Sequence, residues 1–146
     1  MSWSRGNYEI STDKARLDRS LVHEILASSY WADGIPQDVV DRSIEHSLCF
    51  GVYEGRAQVG FARVITDQAT FAYLSDVFIL ESHRGRGLGK WLMEVILGHP
   101  DLQKLRRWTL ATRDAHGLYR QFGFTALAKP ERFMEILDMD IYKKQA

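Results

Sequence analysis

One cysteine in 146 residues, Cys49, leaves no partner for an internal disulfide and no thiol cluster for zinc or an iron–sulfur centre. Proline is almost as scarce. Pro36, Pro100 and Pro130 stand far apart, and no Pro/Gly/Ser-rich linker, low-complexity tract or internal repeat divides the chain. An excess of either charge is missing too: nineteen basic residues are matched by nineteen acidic ones, so there is no global positive field to hold nucleic acid or an anionic membrane. Nowhere do about 18 consecutive apolar residues occur, the length a spanning helix needs. Met1-Ser2-Trp3-Ser4-Arg5 also lacks the apolar stretch of a signal peptide. These absences set expectations of a single domain over residues 1–146, no metal site, a reducing cytoplasmic compartment, and neither nucleic acid nor membrane as partner.

What is present is a hydrophobic fraction of 45%, ample for one core, in segments whose period alternates between helix and strand. A short strand is expected near Tyr8-Glu9-Ile10. Asp18 can cap a helix with Leu21, Val22, Ile25 and Leu26 on one face, ending near Ser29. Tyr30 to Gly34 reads as a loop, and Pro36 at a first helical position opens a second helix carrying Val39, Val40 and Ile44. Three antiparallel strands follow, at Cys49–Tyr53, Val59–Ile65 and Phe71–Leu80, separated by turns at Glu54-Gly55-Arg56 and Thr66-Asp67-Gln68. The stripe Leu88, Leu92, Val95 and Ile96 marks a helix ending before His99-Pro100. Arg107–Ala111 is a strand, Ala115–Phe122 a short helix closed by Gly123, and Phe124–Leu127 and Met134–Met139 are expected to be the last two strands. This order points to a mixed α/β (α+β) domain with helices on both faces of the sheet, in which the unit from Phe71 to Ala111 pairs its strands in parallel.

The richest segment runs from Val77 to Met93, an apolar strand that passes through Glu81-Ser82-His83-Arg84-Gly85-Arg86-Gly87-Leu88-Gly89-Lys90 into a helix. A helix N-terminus offers free amides and partial positive charge, so it attracts phosphate wherever no side chain blocks the approach. Gly85, Gly87 and Gly89 remove that block, and Arg84 and Arg86 can add charge-assisted hydrogen bonds. A Walker A loop would need Ser or Thr after Gly89-Lys90, where Trp91 stands. A dinucleotide fingerprint would need glycine in place of Lys90. An arginine–glycine RNA-binding reading of Arg84 to Gly87 fails on the balanced charge and on the apolar elements either side.

Here the chain resembles the GNAT superfamily of N-acetyltransferases, whose pyrophosphate loop reads Arg or Gln, two residues, Gly, one residue, Gly or Ala. The matching positions are Arg84, Gly87 and Gly89. A second family element, Leu-Tyr, three residues, Gly-Phe, is matched by Leu118-Tyr119 and Gly123-Phe124. The resemblance implies a mostly antiparallel sheet with a splayed central parallel strand pair, opening around Ile79 and Trp108 to admit a thioester. It also implies acetyl-coenzyme A as cofactor and an amine as acceptor, either a small molecule or an exposed protein amine. The expected cofactor contacts are Val77, Phe78 and Ile79 along the strand, Arg84, Gly85, Arg86, Gly87, Leu88, Gly89 and Lys90 in the loop, and Thr112 after the next strand. Splayed strands leave unpaired backbone groups that the amides of such a carrier can satisfy.

Departure of a thiolate benefits from an acid near sulfur, and Tyr119, in the family's tyrosine position, keeps its proton at neutral pH. A lysine-like amine is neutral about once in a thousand at pH 7.4, a cost of roughly 4 kcal/mol, so a base or a water leading to one should help. The strand Tyr73-Leu74-Ser75-Asp76-Val77-Phe78-Ile79 is similar to that of diamine acetyltransferases, with Ser75 where those have the first of two acids. Asp76 is therefore either a catalytic carboxylate or an anchor for loop amides and an arginine. Ideal alternation sets it beside Leu74 and Phe78, unless a bulge changes the count. His116 is an alternative base, while His83 and Glu81 read as surface. Cys49 reads as a small core residue and not as a nucleophile. The resemblance draws acceptor-site walls from the loop after the first helix and from the last strand pair, here Tyr30, Trp31, Asp33 and Phe133. A homodimer is compatible with this reading. The competing function is a non-catalytic acyl-coenzyme A sensor of the same fold.

Overall fold

The computed structural model describes residues 1–143 of the 146. Among the described residues six strands form one sheet in chain order: β1 (Ser2–Arg5), β2 (Tyr8–Ser11), β3 (Leu48–Glu54), β4 (Ala57–Thr66), β5 (Phe71–Ile79) and β6 (Arg107–Leu110). Neighbours are antiparallel as far as β5, which pairs with β6 in parallel. Helices α1 (Arg19–Ala27), α2 (Gln37–Glu45), α3 (Leu88–Gly98) and α4 (His116–Arg120) complete the mixed α/β layers. No helix among the described residues is long and apolar enough to cross a membrane.

Period-two alternation splits the strand side chains between two cores. Phe50, Val52, Ala62 and Val64 pack with Leu88, Leu92, Met93 and Ile96 of α3, whereas Cys49 and Phe61 pack with Val22 and Leu26 of α1 and Val40 and Ile44 of α2. Asp18 caps α1, its carboxylate accepting from the Leu21 amide at 3.0 Å. Pro36 proves to be the N-cap of α2, one position before the expected first helical residue.

The strand that positions the site breaks its own alternation. Leu74 lies in the α3-side core and Phe78 in the α1/α2-side core, although four residues would return an ideal strand to the same face. The register explains it: Phe61 faces Phe78 and Arg63 faces Ser75, so two steps on β4 oppose three on β5. The extra residue is accommodated at Asp76, whose φ of +56° is left-handed. The expectation that Asp76 shares a face with Leu74 and Phe78 is thereby corrected.

β5 and β6 pair only from Phe71/Arg107 to Leu74/Leu110, and β5 continues to Ile79 with β4 as its one strand neighbour among the described residues. The strands therefore separate beyond Leu74, and Trp108, opposite Ala72, lies inside the paired stretch instead of at the splay. Two further corrections concern the ends. The polar segment Ser2–Arg5, without an alternating pattern, is a strand because it closes a hairpin through Gly6, at φ +57°, and rests Trp3 against the α3-side core. Phe124–Leu127 and Met134–Met139, expected as strands, are irregular and pair with nothing in the sheet. Strand propensity reflects packing against neighbours, and the chain brings no partner strand to these segments.

Candidate active site

At the C-terminal end of β5 the chain makes one 3-10 turn, Glu81–His83, and then the glycine loop. Gly85 and Gly87 have φ of +79° and +77°, which L side chains adopt only at a cost, and Gly87 caps α3 with no side-chain hydrogen bond. The first amides of α3 are consequently left without an internal acceptor. Gly89 has no such backbone constraint. A Cβ added at Gly85, Gly87 or Gly89 would meet nothing within 4 Å, so the three present one open, unobstructed surface at a helix N-terminus.

The loop's cations are partly committed to the scaffold. Arg84 Nε donates to the Ile79 carbonyl at 3.1 Å, and Arg86 donates to the Tyr8 hydroxyl at 2.6 Å while lying 4.0 Å from Glu54. The Tyr8 contact, then Glu54, raises the Arg86 pKa. His83 braces the loop against β3: its Nδ1 lies 2.7 Å from Ser82 Oγ and its Nε2 3.1 Å from Glu54 Oε1. Hydrogen bonds from His83 and Tyr8 hold the Glu54 carboxyl below its usual range. Leu88 is buried and contributes only backbone to the loop surface, and Lys90 is exposed on the first turn of α3.

On the other side of the freed stretch of β5 lies a cleft of about 520 Å³. Its walls are Tyr30 and Trp31 from the loop after α1, Tyr73 to Val77 of β5, Leu110 to Ala115 after β6, and Tyr119 of α4. Tyr119 is only 8% exposed and stacks edge-on against Phe124 at 5.9 Å. Burial, followed by the nearby Tyr30, raises its pKa further above neutrality. Tyr30 is itself fixed, its hydroxyl accepting from the Arg113 amide at 3.0 Å with the Arg113 guanidinium 3.9 Å over its ring.

Asp76 projects into this cleft from the bulge, and both its oxygens are engaged. Arg63 Nε donates to Oδ2 at 2.7 Å and the Trp31 indole donates to Oδ1 at 2.9 Å. Arg63 also donates to Ser47 at 3.0 Å. One carboxylate thus ties β4, β5 and the loop after α1 together. Asp114, at the rim, is a carboxylate of the cleft with no partner among the described residues.

The structure brings Tyr30, Trp31, Asp76, Val77, Thr112 and Tyr119 to one cleft, with the glycine loop at the far end of β5. Thr112 Oγ1 accepts from the Ala115 amide at 3.1 Å, shaping the turn into α4. Phe78 turns its side chain into the α1/α2-side core, leaving only backbone for a ligand, and Ile79 is half-buried. Asp33 is exposed outside the cleft wall. Phe133 lines a separate cleft of about 630 Å³, under the Arg107 guanidinium at 4.8 Å. His116 lies in a third cleft, of about 380 Å³, next to β6. Sequence reasoning missed Arg63, Tyr73, Arg113, Asp114 and Tyr142 as wall residues. Arg63 had a signal, a lone cation in the apolar strand Val59 to Ile65 that requires a buried anion; the others had none. No group of three or more His, Cys, Asp or Glu among the described residues is placed to hold a metal ion.

Comparison with known proteins adds an independent line. Residues 45–126 match the family model for the acetyltransferase (GNAT) domain. A protein of Gibberella zeae described as a "putative acetyltransferase" is 35% identical over 142 residues, covering 81% of this chain and 78% of that one. A crystal structure from Xanthomonas campestris pv. campestris, described as belonging to the GNAT family, is 51% identical with a TM-score of 0.92, covering 95% of this chain and 99% of the other. An acetyltransferase structure from Clostridium acetobutylicum, described with acetyl-CoA, is 14% identical with a TM-score of 0.64 over 94% of this chain and 96% of the other, a likeness of fold alone.

Proposed function

The chain belongs to the GNAT acetyltransferase family, and on that premise we propose that it is an acetyl-CoA-dependent N-acetyltransferase that carries an acetyl group to an amine by direct attack within a ternary complex. The observation that carries this reading is the arrangement along one strand. β5 leaves its parallel partner after Leu74, has an open glycine-lined helix N-terminus beyond one end, and faces the buried Tyr119 across the cleft at the other.

These residues suit the cofactor. The open faces of Gly85, Gly87 and Gly89 accommodate a diphosphate against the α3 amides, and the backbone groups of β5 beyond Leu74 that face away from β4 suit a chain carrying amides. When bound, acetyl-CoA supplies an activated thioester. Tyr119 then holds a proton beside the sulfur position; the elevation of its pKa by burial keeps the phenol protonated and able to donate at neutral pH. Of the two roles the sequence leaves open for Asp76, its bonds to Arg63 and Trp31 support the anchor: it fixes the acceptor wall. Water relayed toward Asp114 is the favoured route for the acceptor's proton, and the aromatic walls of Tyr30, Trp31 and Tyr73 suit a cationic amine before it is deprotonated.

Release of free thiol from acetyl-CoA across a panel of small amines and lysine peptides tests the reading. At least one acceptor should give turnover, with the rate strongly reduced in Tyr119→Phe while cofactor binding persists. Cofactor binding with no turnover on any acceptor would support the sensor instead.

A further inference from the structure

Two charges at the rim of the acceptor cleft are left without a counter-charge. Arg113 and Asp114, consecutive residues in the turn after β6, both line it, and neither forms an ion pair among the described residues. The other charged residues of the cleft, Arg63 and Asp76, neutralise each other at 2.7 Å. What remains for a ligand is one cation and one anion, side by side.

Arg113 is also prepared for an anion. Its guanidinium lies 3.9 Å over the Tyr30 ring, so the ring covers one face of the plane and the edge N–H groups stay free for a bidentate carboxylate. No acceptor among the described residues takes those side-chain donors. The Tyr30 hydroxyl accepts from the Arg113 amide at 3.0 Å, which fixes the stack from the backbone. Beside it the wall is aromatic. Tyr30 and Trp31 meet edge to face at 5.1 Å and remain 48% and 44% exposed, with Tyr73 and Tyr142 in the same lining. The Trp31 indole is held by Asp76 at 2.9 Å, so this apolar surface is built into the fold. A cleft of about 520 Å³ with such walls suits a large apolar or aromatic side chain.

We propose that the acceptor is a free α-amino acid with a large apolar or aromatic side chain, its carboxylate on Arg113, its ammonium toward Asp114 and its side chain against Tyr30 and Trp31. The assignment rests on the acetyltransferase reading of this cleft and narrows the amine to a zwitterion. A diamine or polyamine would bring two or more cations to a single unpaired acid, and a lysine side chain of a protein would leave Arg113 without an anion. An α-amino acid carries both charges on one carbon, matching consecutive residues whose Cα atoms are about 3.8 Å apart. The ammonium loses one proton through water toward Asp114 before attack; the nitrogen then bonds to the acetyl carbon as the carbon–sulfur bond breaks. The thiolate takes the Tyr119 proton, and the second proton lost from nitrogen replaces it. The product amide has lost its positive charge and keeps its carboxylate, so Asp114 no longer attracts it and release is favoured.

Titration calorimetry of the full chain with coenzyme A present, alongside thiol release from acetyl-CoA, tests the assignment. The probes are L-phenylalanine, L-leucine and L-methionine, the matched amine of each without its carboxylate, 1,4-diaminobutane and a lysine peptide. At least one amino acid should bind about tenfold or more tightly than its matched amine and be the better acceptor by kcat/KM. Arg113→Gln keeps the backbone amide that bonds Tyr30 and should erase that preference, whereas Asp114→Asn should weaken amino acid and amine alike. Failure of all three amino acids to bind would overturn the assignment. An amine, diamine or peptide used in preference to every amino acid, or a preference that survives Arg113→Gln, would overturn it while leaving acetyl transfer intact. An Arg113-dependent preference in binding, with no thiol release from any acceptor, would uphold the zwitterion site and overturn the acetyltransferase reading instead.

Discussion

Replacing Arg63 by methionine probes the tie beneath the acceptor wall. The Arg63–Asp76 pair is 2.7 Å long, with side chains 15% and 7% exposed, so solvent screens it little. Removing the cation leaves a buried carboxylate without its counter-ion, a loss of about 3–5 kcal/mol. The lost bond to Ser47 adds about 1 kcal/mol. With a urea slope of about 2 kcal/mol/M, the sum of about 4–6 kcal/mol lowers the unfolding midpoint by roughly 2–3 M. Asp76→Asn should cost less. Asn tolerates the left-handed φ of +56°, its amide oxygen can still accept from the Trp31 indole, and Arg63 retains Ser47. The double variant Arg63→Met/Asp76→Asn carries neither buried charge, so its cost should fall short of the summed single costs by about 1–3 kcal/mol. Urea unfolding of the four proteins, followed by tryptophan fluorescence, measures that difference. Additivity of the two single costs would show that the pair does not hold the wall together.

Three other outcomes follow from the same geometry. Gly89→Asp places an acid in the first turn of α3, where the helix dipole favours it by about 0.3–1 kcal/mol, yet it fills the open face proposed for diphosphate. Thermal stability should hold or rise while coenzyme A titration shows lost affinity; unchanged affinity would place the diphosphate elsewhere. Tyr119→Phe should lower kcat by about 10²-fold or more with little change in stability. Because burial raises the Tyr119 pKa, the wild-type rate should not decline through loss of this proton until pH exceeds the ordinary tyrosine value of 10.0, and an alkaline limb near pH 8 that disappears in Tyr119→Phe would contradict the assignment. Burial pushes the Cys49 thiol up to about 11 from 9.0, so the folded state holds this proton more tightly than the unfolded chain. Stability from this group is full below pH 9 and is lost as pH rises toward 11, by about 3 kcal/mol at 1.36 kcal/mol per unit. Cys49→Ala should flatten that limb in urea midpoints taken from pH 8 to 11, and an unaltered limb would assign it to other groups.

Local pattern and turn chemistry made much of the molecule legible in the sequence. The Asp18 cap, the stripe on α3 and the alternation of Cys49 to Tyr53 each act over a few residues, so each specifies its element without knowledge of the rest. The glycine loop and Tyr119 were legible for a related reason: free amides at a helix start and a phenol on a short helix depend on local spacing. Met134–Met139 went the other way, since an apolar, strand-like run becomes a strand only beside a partner.

The sequence by itself thus determined the helices, the strands β2 to β6, the open helix terminus and the placement of Tyr119 on a short helix, because these follow from period, capping and backbone freedom along the chain. Only the tertiary structure decided that one extra residue on β5 turns Asp76 toward Arg63 and Trp31, that β5 and β6 part after Leu74, and that Phe133 lies away from Tyr30. The physical reason is that a register count, a strand separation and a buried ion pair are relations between segments far apart in the chain. Their free energies exist only once both partners have been brought together and water has been excluded from between them.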